Sequence, residues 1–260
     1  HFRFAVEGGV ASVTFDRPER LNALTFDAYA DLRDLLAELP HRQDVRVLVI
    51  TGTGRGFCSG GDVHDIIGAL QKADARDLLD FTRMTGSVVQ RMRELPVPVI
   101  ASVNGVAAGA GAVIALAADF RLLARSATFA FLFTRVGLAG ADMGSAYLLP
   151  RLVGLGRATE LLMLGEDLDA ERALEIGLAN RVEEDDQLPR AATVLARRLA
   201  DGPALALATT KMLLTRELDS GLGPSLELEA MAQALLMTTR DHAEFYAAFQ
   251  EGRSPTWTGR

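Results

Sequence analysis

Apolar residues recur along this chain with two distinct periods. Residues 2–6 and 10–15 alternate apolar and polar positions on either side of Gly8-Gly9, the pattern of a β-hairpin. From Phe26 the spacing changes. Phe26, Tyr29, Leu32, Leu35, Leu36 and Leu39 fall three and four residues apart, Thr25 stands where a cap is needed, and Pro40 ends the run, which predicts a helix.

Residues 45–51 are nearly all apolar and β-branched, as in a strand covered on both faces. A helical pattern over 78–95 stops at Pro96, a second buried strand is predicted over 97–103, and an alanine-rich helix runs to Ala118. Read this way, the first half consists of β-α-β units, which place ligands at the carboxyl ends of parallel strands. Beyond residue 144 the periodicity is helical, over 144–153, 156–164, 170–176, 187–200, 203–217 and 222–249, with a break near Thr239. Leu222, Leu226, Leu235 and Leu236 read as core packing, with a subunit interface as the alternative, and 254–260 reads as a loose tail.

With 260 residues, 49% of them hydrophobic, the chain can bury one substantial core, and neither a repeat nor a linker divides it. A net charge of −7 and the lack of a basic stripe argue against a nucleic-acid partner. The single cysteine, Cys58, excludes an internal disulfide and fits a reducing compartment, so a cytoplasmic location is expected. The most apolar stretch, 97–118, is broken by Asn104 and a run of small residues, so it reads as strand, turn and helix, with no membrane span.

Chemistry concentrates in two glycine-rich stretches, Phe57-Cys58-Ser59-Gly60-Gly61-Asp62 and Asn104-Gly105-Val106-Ala107-Ala108-Gly109-Ala110-Gly111. Residues without bulk let a carbonyl approach the main chain, and a helix start leaves its first N–H groups unpaired. Two such stretches suggest a pair of donors for an oxyanion. Neither has the spacing of a nucleoside triphosphate or dinucleotide loop. Ser59 and Ser145 lack a nucleophile elbow, and neither His64-Asp65 nor Asp241-His242 has metal-ligand spacing, so no metal is expected.

Five segments occur in an order that resembles the crotonase, or enoyl-CoA hydratase/isomerase, family over essentially the whole chain. They are Arg17-Pro18 with Leu21-Asn22-Ala23-Leu24, Phe57 to Asp62, Asn104 to Gly111 with Asp119, Gly137-Leu138 with Leu149 to Gly154, and Ala173 with Gly177-Leu178-Ala179 and Val182. The resemblance implies an α/β fold, a spiral of β-β-α units over 1–195 with a C-terminal helical oligomerisation region over 196–260. It also implies a homotrimer or homohexamer. The substrate would be an acyl-CoA thioester, with no cofactor beyond the coenzyme A it carries, and the oxyanion donors would be the N–H groups of Gly61 and Ala110. Arg17, Arg20, Arg55 and Arg253, with Ala23 and Cys58, would contact the coenzyme A portion.

Where the family's hydratases carry two glutamates, this chain has Val113 and Phe133. Neither side chain exchanges protons, so the usual addition of water cannot operate there. The expected replacement is Asp142, counted back from Leu149-Pro150-Arg151, with helix capping as its alternative role. Phe129, Phe131, Phe133 and Val113 would supply apolar surroundings that raise its proton affinity. Asp62 and Asp119 read as structural, and His64 as a solvated residue at a helix start. The expected activity is enoyl-CoA isomerisation with Asp142 as acid/base. Hydration with another water activator, decarboxylation, dehalogenation, thioester hydrolysis and a silent acyl-CoA-binding scaffold are the alternatives.

Overall fold

Gly8 and Gly9, with φ of +55° and +81°, reverse the chain so that β1 (Phe2–Glu7) pairs antiparallel with β2 (Val10–Phe15). From β2 onward the large sheet is parallel, running through β3 (Val47–Gly52), β5 (Val99–Val103), β7 (Phe120–Ala124) and β10 (Arg181–Glu183). A second sheet holds β4 (Gly56–Cys58), β6 (Val106–Ala108), β8 (Thr128–Ala130) and β9 (Leu168–Asp169). The structure, a computed structural model, describes residues 1–259.

Each of β3, β5 and β7 is followed within a few residues by a short strand of the second sheet. Helices Ala75–Glu94 and Ala110–Ala117 then return the chain to the large sheet. The repeating unit is therefore β-β-α, and the simpler β-α-β reading is corrected. Three-residue strands are too short to show a period, and β6 lies inside the second glycine-rich stretch.

The helix at Phe26–Glu38 starts where expected, with the Thr25 hydroxyl accepting from the Ala28 N–H at 3.2 Å. Its buried residues, Ala28, Tyr29, Leu32 and Leu36, are its core face. Helix Ala75–Glu94 begins three residues earlier than the apolar pattern, because the Asp74 carboxylate caps the N–H groups of Arg76 and Asp77. Helix Leu188–Ala200 packs on the large sheet, against β3, β5 and β7. Residue 195 lies within it, and the helices beyond are Ala204–Arg216, Leu222–Leu236 and Arg240–Glu251.

Lys211 ties this last region to the core. Its ammonium, buried, lies 2.8 Å from Asp119 Oδ2 and donates to the carbonyls of Met92 and Val97. Arg93 pairs with the other oxygen of Asp119 at 3.0 Å, in keeping with a structural role for this carboxylate.

Two expectations fail. Leu222, Leu226 and Leu235 are not core: they are 77%, 55% and 70% exposed, and Phe249 on the next helix is 72% exposed. Nor is the tail loose over 254–259. The buried Asp241 carboxylate accepts from the Thr258 N–H and hydroxyl and from the Gly259 N–H, and Glu244 accepts from the Thr256 N–H. Arg260 lies outside the described residues. Among the described residues no helix is long and apolar enough to cross a membrane.

Candidate active site

The two glycine-rich turns meet because the strands that precede them, β4 and β6, are parallel neighbours and end side by side. After β4, the Leu24 N–H donates to the Gly60 carbonyl and the Asp62 N–H donates to the Leu24 carbonyl, both at 2.8 Å. This one-residue parallel bridge uses the groups flanking Gly61 and turns the Gly61 N–H away from it. After β6, Gly109 has φ of +51° and ψ of −122°, a conformation suited to glycine, and the chain enters helix Ala110–Ala117. Neither the Gly61 nor the Ala110 N–H has an acceptor among the described residues.

The turns lie close together. A Cβ built on Gly60, whose φ is +97°, would stand 3.0 Å from the Ala108 carbonyl oxygen and 3.4 Å from the Ala110 nitrogen. Two N–H groups without acceptors, on neighbouring turns fixed by sheet and helix, have the chemistry to receive a developing negative charge.

Asp142 stands between Gly140 and the helix Ser145–Val153. It does not cap that helix. One carboxylate oxygen accepts from the adjacent Met143 N–H at 2.8 Å, while the main-chain N–H of Asp142 donates to the Ser145 hydroxyl at 3.1 Å. Met143 takes a left-handed φ of +50°, unusual for a residue with a side chain, and Gly144 follows at +91°. Half-burial pushes the Asp142 carboxyl above its ordinary pKa, and the Met143 N–H only partly offsets this. An apolar hollow of about 420 Å³ lies behind Met143 and Gly144, lined in part by Val89 and Leu148.

The periodicity placed Tyr29 in the helix core, and its ring is indeed buried. Its hydroxyl, however, lies 3.8 Å from where a Cβ on Gly61 would stand. It has no hydrogen-bond partner among the described residues. Burial, then the neighbouring Cys58 and Asp142, push it well above the usual phenol range. Helical spacing cannot distinguish a core tyrosine from one whose hydroxyl faces a site, so this residue carried no signal in the sequence.

Asp62 behaves as a structural residue, accepting from the N–H groups of His64 and Asp65 to start the π-type turn Val63–Ile67. Burial acts to raise its pKa, but those N–H groups and the Arg17 and Arg20 guanidiniums hold it below the ordinary value. His64 is exposed. Val113 and Phe133 are both buried, as are Phe129 and Phe131. Among the described residues no cluster of three or more His, Cys, Asp or Glu could hold a metal.

The expected coenzyme A contacts fall into different situations. Arg17 is engaged within the fold, donating to the Ala23 carbonyl at 2.8 Å and to Asp62 at 3.3 Å. Arg253 is paired with Glu244 and Glu251. Arg20 and Arg55 are exposed and make no ion pair among the described residues. Cys58 is fully buried, and its thiol is pushed up to about 12 by that burial, so only its main chain can face a ligand.

Comparison with known proteins identifies relatives along the whole chain. The family model for enoyl-CoA hydratase/isomerase matches residues 5–260. The chain is 40% identical over 256 residues to the 1,2-epoxyphenylacetyl-CoA isomerase of Escherichia coli K12, covering 98% of this chain and 97% of that protein. It is 32% identical over 257 residues to the trans-2-decenoyl-acyl-carrier-protein isomerase of Streptococcus mutans, covering 99% and 97%. A crystal structure from Streptomyces coelicolor A3(2), provisionally named enoyl-CoA hydratase, superposes with a TM-score of 0.98 at 63% identity, covering all of this chain and 94% of that one. The paired glycine-rich turns, the β-β-α spiral and these similarities lead to one assignment: the chain is an enzyme of the enoyl-CoA hydratase/isomerase, or crotonase, family.

Proposed function

We propose that the protein isomerises enoyl thioesters of coenzyme A, moving a proton between carbons of the acyl chain with Asp142 as the single acid/base. The thioester oxygen would lie between the N–H groups of Gly61 and Ala110. The ionised Asp142 would remove a proton from carbon, the electron pair would pass toward the thioester oxygen, and the resulting enolate would be held by the two donors. Asp142 would then return the proton at a different carbon, so the substrate gains and loses no atoms.

The observation that carries this reading is the state of Asp142. It is a half-buried carboxylate with raised proton affinity, and capping does not consume it. A base whose pKa is brought closer to neutrality transfers protons in both directions more evenly. Val113 and Phe133 offer no second acid/base at the hydratase positions, which favours proton relocation over addition of water. Two of the relatives above are themselves named isomerases, one of a coenzyme A thioester and one of an acyl-carrier-protein substrate.

Arg20 and Arg55, exposed and unpaired among the described residues, are the cations best placed to meet coenzyme A phosphates, with Ala23 and Cys58 contributing main-chain contacts. Arg17 supports the site by holding Ala23 and Asp62, and Arg253 would need to leave its two glutamates to contribute. The exposed leucines and phenylalanines of the C-terminal helices support assembly as a homotrimer or homohexamer. The test is a panel of enoyl-CoA thioesters followed by mass spectrometry. Product of unchanged mass with a relocated double bond is expected, and product heavier by one water would assign hydration instead.

A further inference from the structure

Tyr29 presents a physical problem that the proton relay does not use. Its residue is 3% exposed, and its phenol hydroxyl makes no hydrogen bond among the described residues. Burying a hydroxyl without a partner carries a free-energy penalty, so such groups in folded proteins are normally satisfied by protein, water or ligand. Among the described residues the sealed polar atoms that lack partners are Arg91 Nε, Arg93 Nε, Thr134 Oγ1 and Glu217 Oε1. The Tyr29 oxygen is not one of them, so it retains contact with open space.

On the reading of the turns given above, that space belongs to the acyl-thioester site. Leu24 pairs with Gly61, Thr25 caps the following helix, and Tyr29 stands one turn into it, which brings its hydroxyl to the Cα side of Gly61. The ring cannot readily swing away. It meets Phe81 edge to face at 6.0 Å between centroids, and Phe81 in turn meets Phe26 at 5.1 Å. The result is a fixed, neutral hydroxyl beside one oxyanion donor.

We propose that Tyr29 is a specificity-determining residue whose hydroxyl donates to an acceptor oxygen, ether or carbonyl, carried on the acyl chain close to the thioester. The preferred substrates are then oxygenated acyl-CoA thioesters, discriminated from plain hydrocarbon chains. A placed polar group discriminates in this way, because a bound analogue that lacks the matching atom excludes water from the hydroxyl and leaves it unpaired. This inference rests on the reading of the two turns as an acyl-thioester site, and it does not depend on which reaction follows.

Binding of unreactive saturated thioesters tests it without turnover. The probes are hexanoyl-CoA and two isosteres in which an ether oxygen replaces one chain methylene, propoxyacetyl-CoA and 3-ethoxypropanoyl-CoA, titrated by calorimetry into the intact protein and into Tyr29→Phe. At least one ether thioester should bind the intact protein about tenfold or more tightly than hexanoyl-CoA, and that preference should disappear in Tyr29→Phe. Equal affinities in the intact protein, or a preference that survives in Tyr29→Phe, would overturn the proposal while leaving the acyl-thioester site standing. If none of the three binds, the acyl-thioester reading fails as well.

Discussion

Asn22 and Asn104 donate to the same acceptor, the carbonyl oxygen of Gly56, at 2.8 and 3.2 Å. Each belongs to a different motif, yet together they fasten the loop between β3 and β4 that leads into the first glycine-rich turn. Asn22 also donates to the Thr53 carbonyl and accepts from the Arg17 N–H. Asn104 also donates to the Gly54 carbonyl and accepts from the Gly52 N–H. The asparagines of both motifs therefore hold the loop that leads into the first glycine-rich turn.

Asn104→Ala removes three of these bonds and leaves main-chain groups without partners. The expected cost is about 2–3 kcal/mol of folding stability, read as a lower denaturant midpoint. A midpoint within error of the parent would show that the shared acceptor is incidental.

Gly60→Ala probes the close approach of the turns. The new Cβ would meet the Ala108 carbonyl oxygen at 3.0 Å, in a backbone conformation with φ of +97° that a side chain disfavours. Relief requires the turns to part, which misplaces the Ala110 N–H relative to the Gly61 N–H. Loss of one aligned donor typically costs about 10²–10³ in kcat, so steady-state kinetics should show a fall of that order. Retained kcat would place the oxyanion elsewhere.

Asp142 links activity to stability with opposite signs. In its proposed role as base it must be ionised, so kcat/KM should rise with pH through a value above the ordinary carboxylate range. Because its folded pKa is raised, the folded state holds this proton more tightly than the unfolded chain does. Its contribution to stability is complete below the unfolded pKa and is lost as pH rises through the folded one. Asp142→Asn should therefore be more stable than the parent at neutral pH, with the gain shrinking toward acid pH. Thermal melts across pH check this, and a less stable variant at pH 7 would contradict it.

The parts of this molecule legible in its sequence are those with a period or a stop. The Thr25 cap, the Pro40 and Pro96 terminators, the hairpin and the buried strands all register in residue spacing. The short strands β4, β6 and β8 do not, because three residues cannot display an alternation. Of the site, the small residues that allow the turns to touch could be read directly. Occupancy could not: that Arg17 is held by the distant Asp62, that Arg253 folds back onto Glu244 and Glu251, and that the Tyr29 hydroxyl is unheld all depend on where the folded side chains lie. The exposed leucines of Leu222–Leu236 misled for a related reason, since a largely apolar helix reads the same in sequence whether it meets its own core or another surface.

Asp142 is proposed to move a carbon-bound proton while the N–H groups of Gly61 and Ala110 hold the enolate. Its most direct test is deuterium wash-in from deuterated water into an enoyl-CoA substrate, followed by NMR, for the parent and for Asp142→Asn. The parent should incorporate deuterium into the acyl chain without adding water, and the variant should be slower by about 10²–10⁴. Incorporation at an undiminished rate in Asp142→Asn would contradict the account.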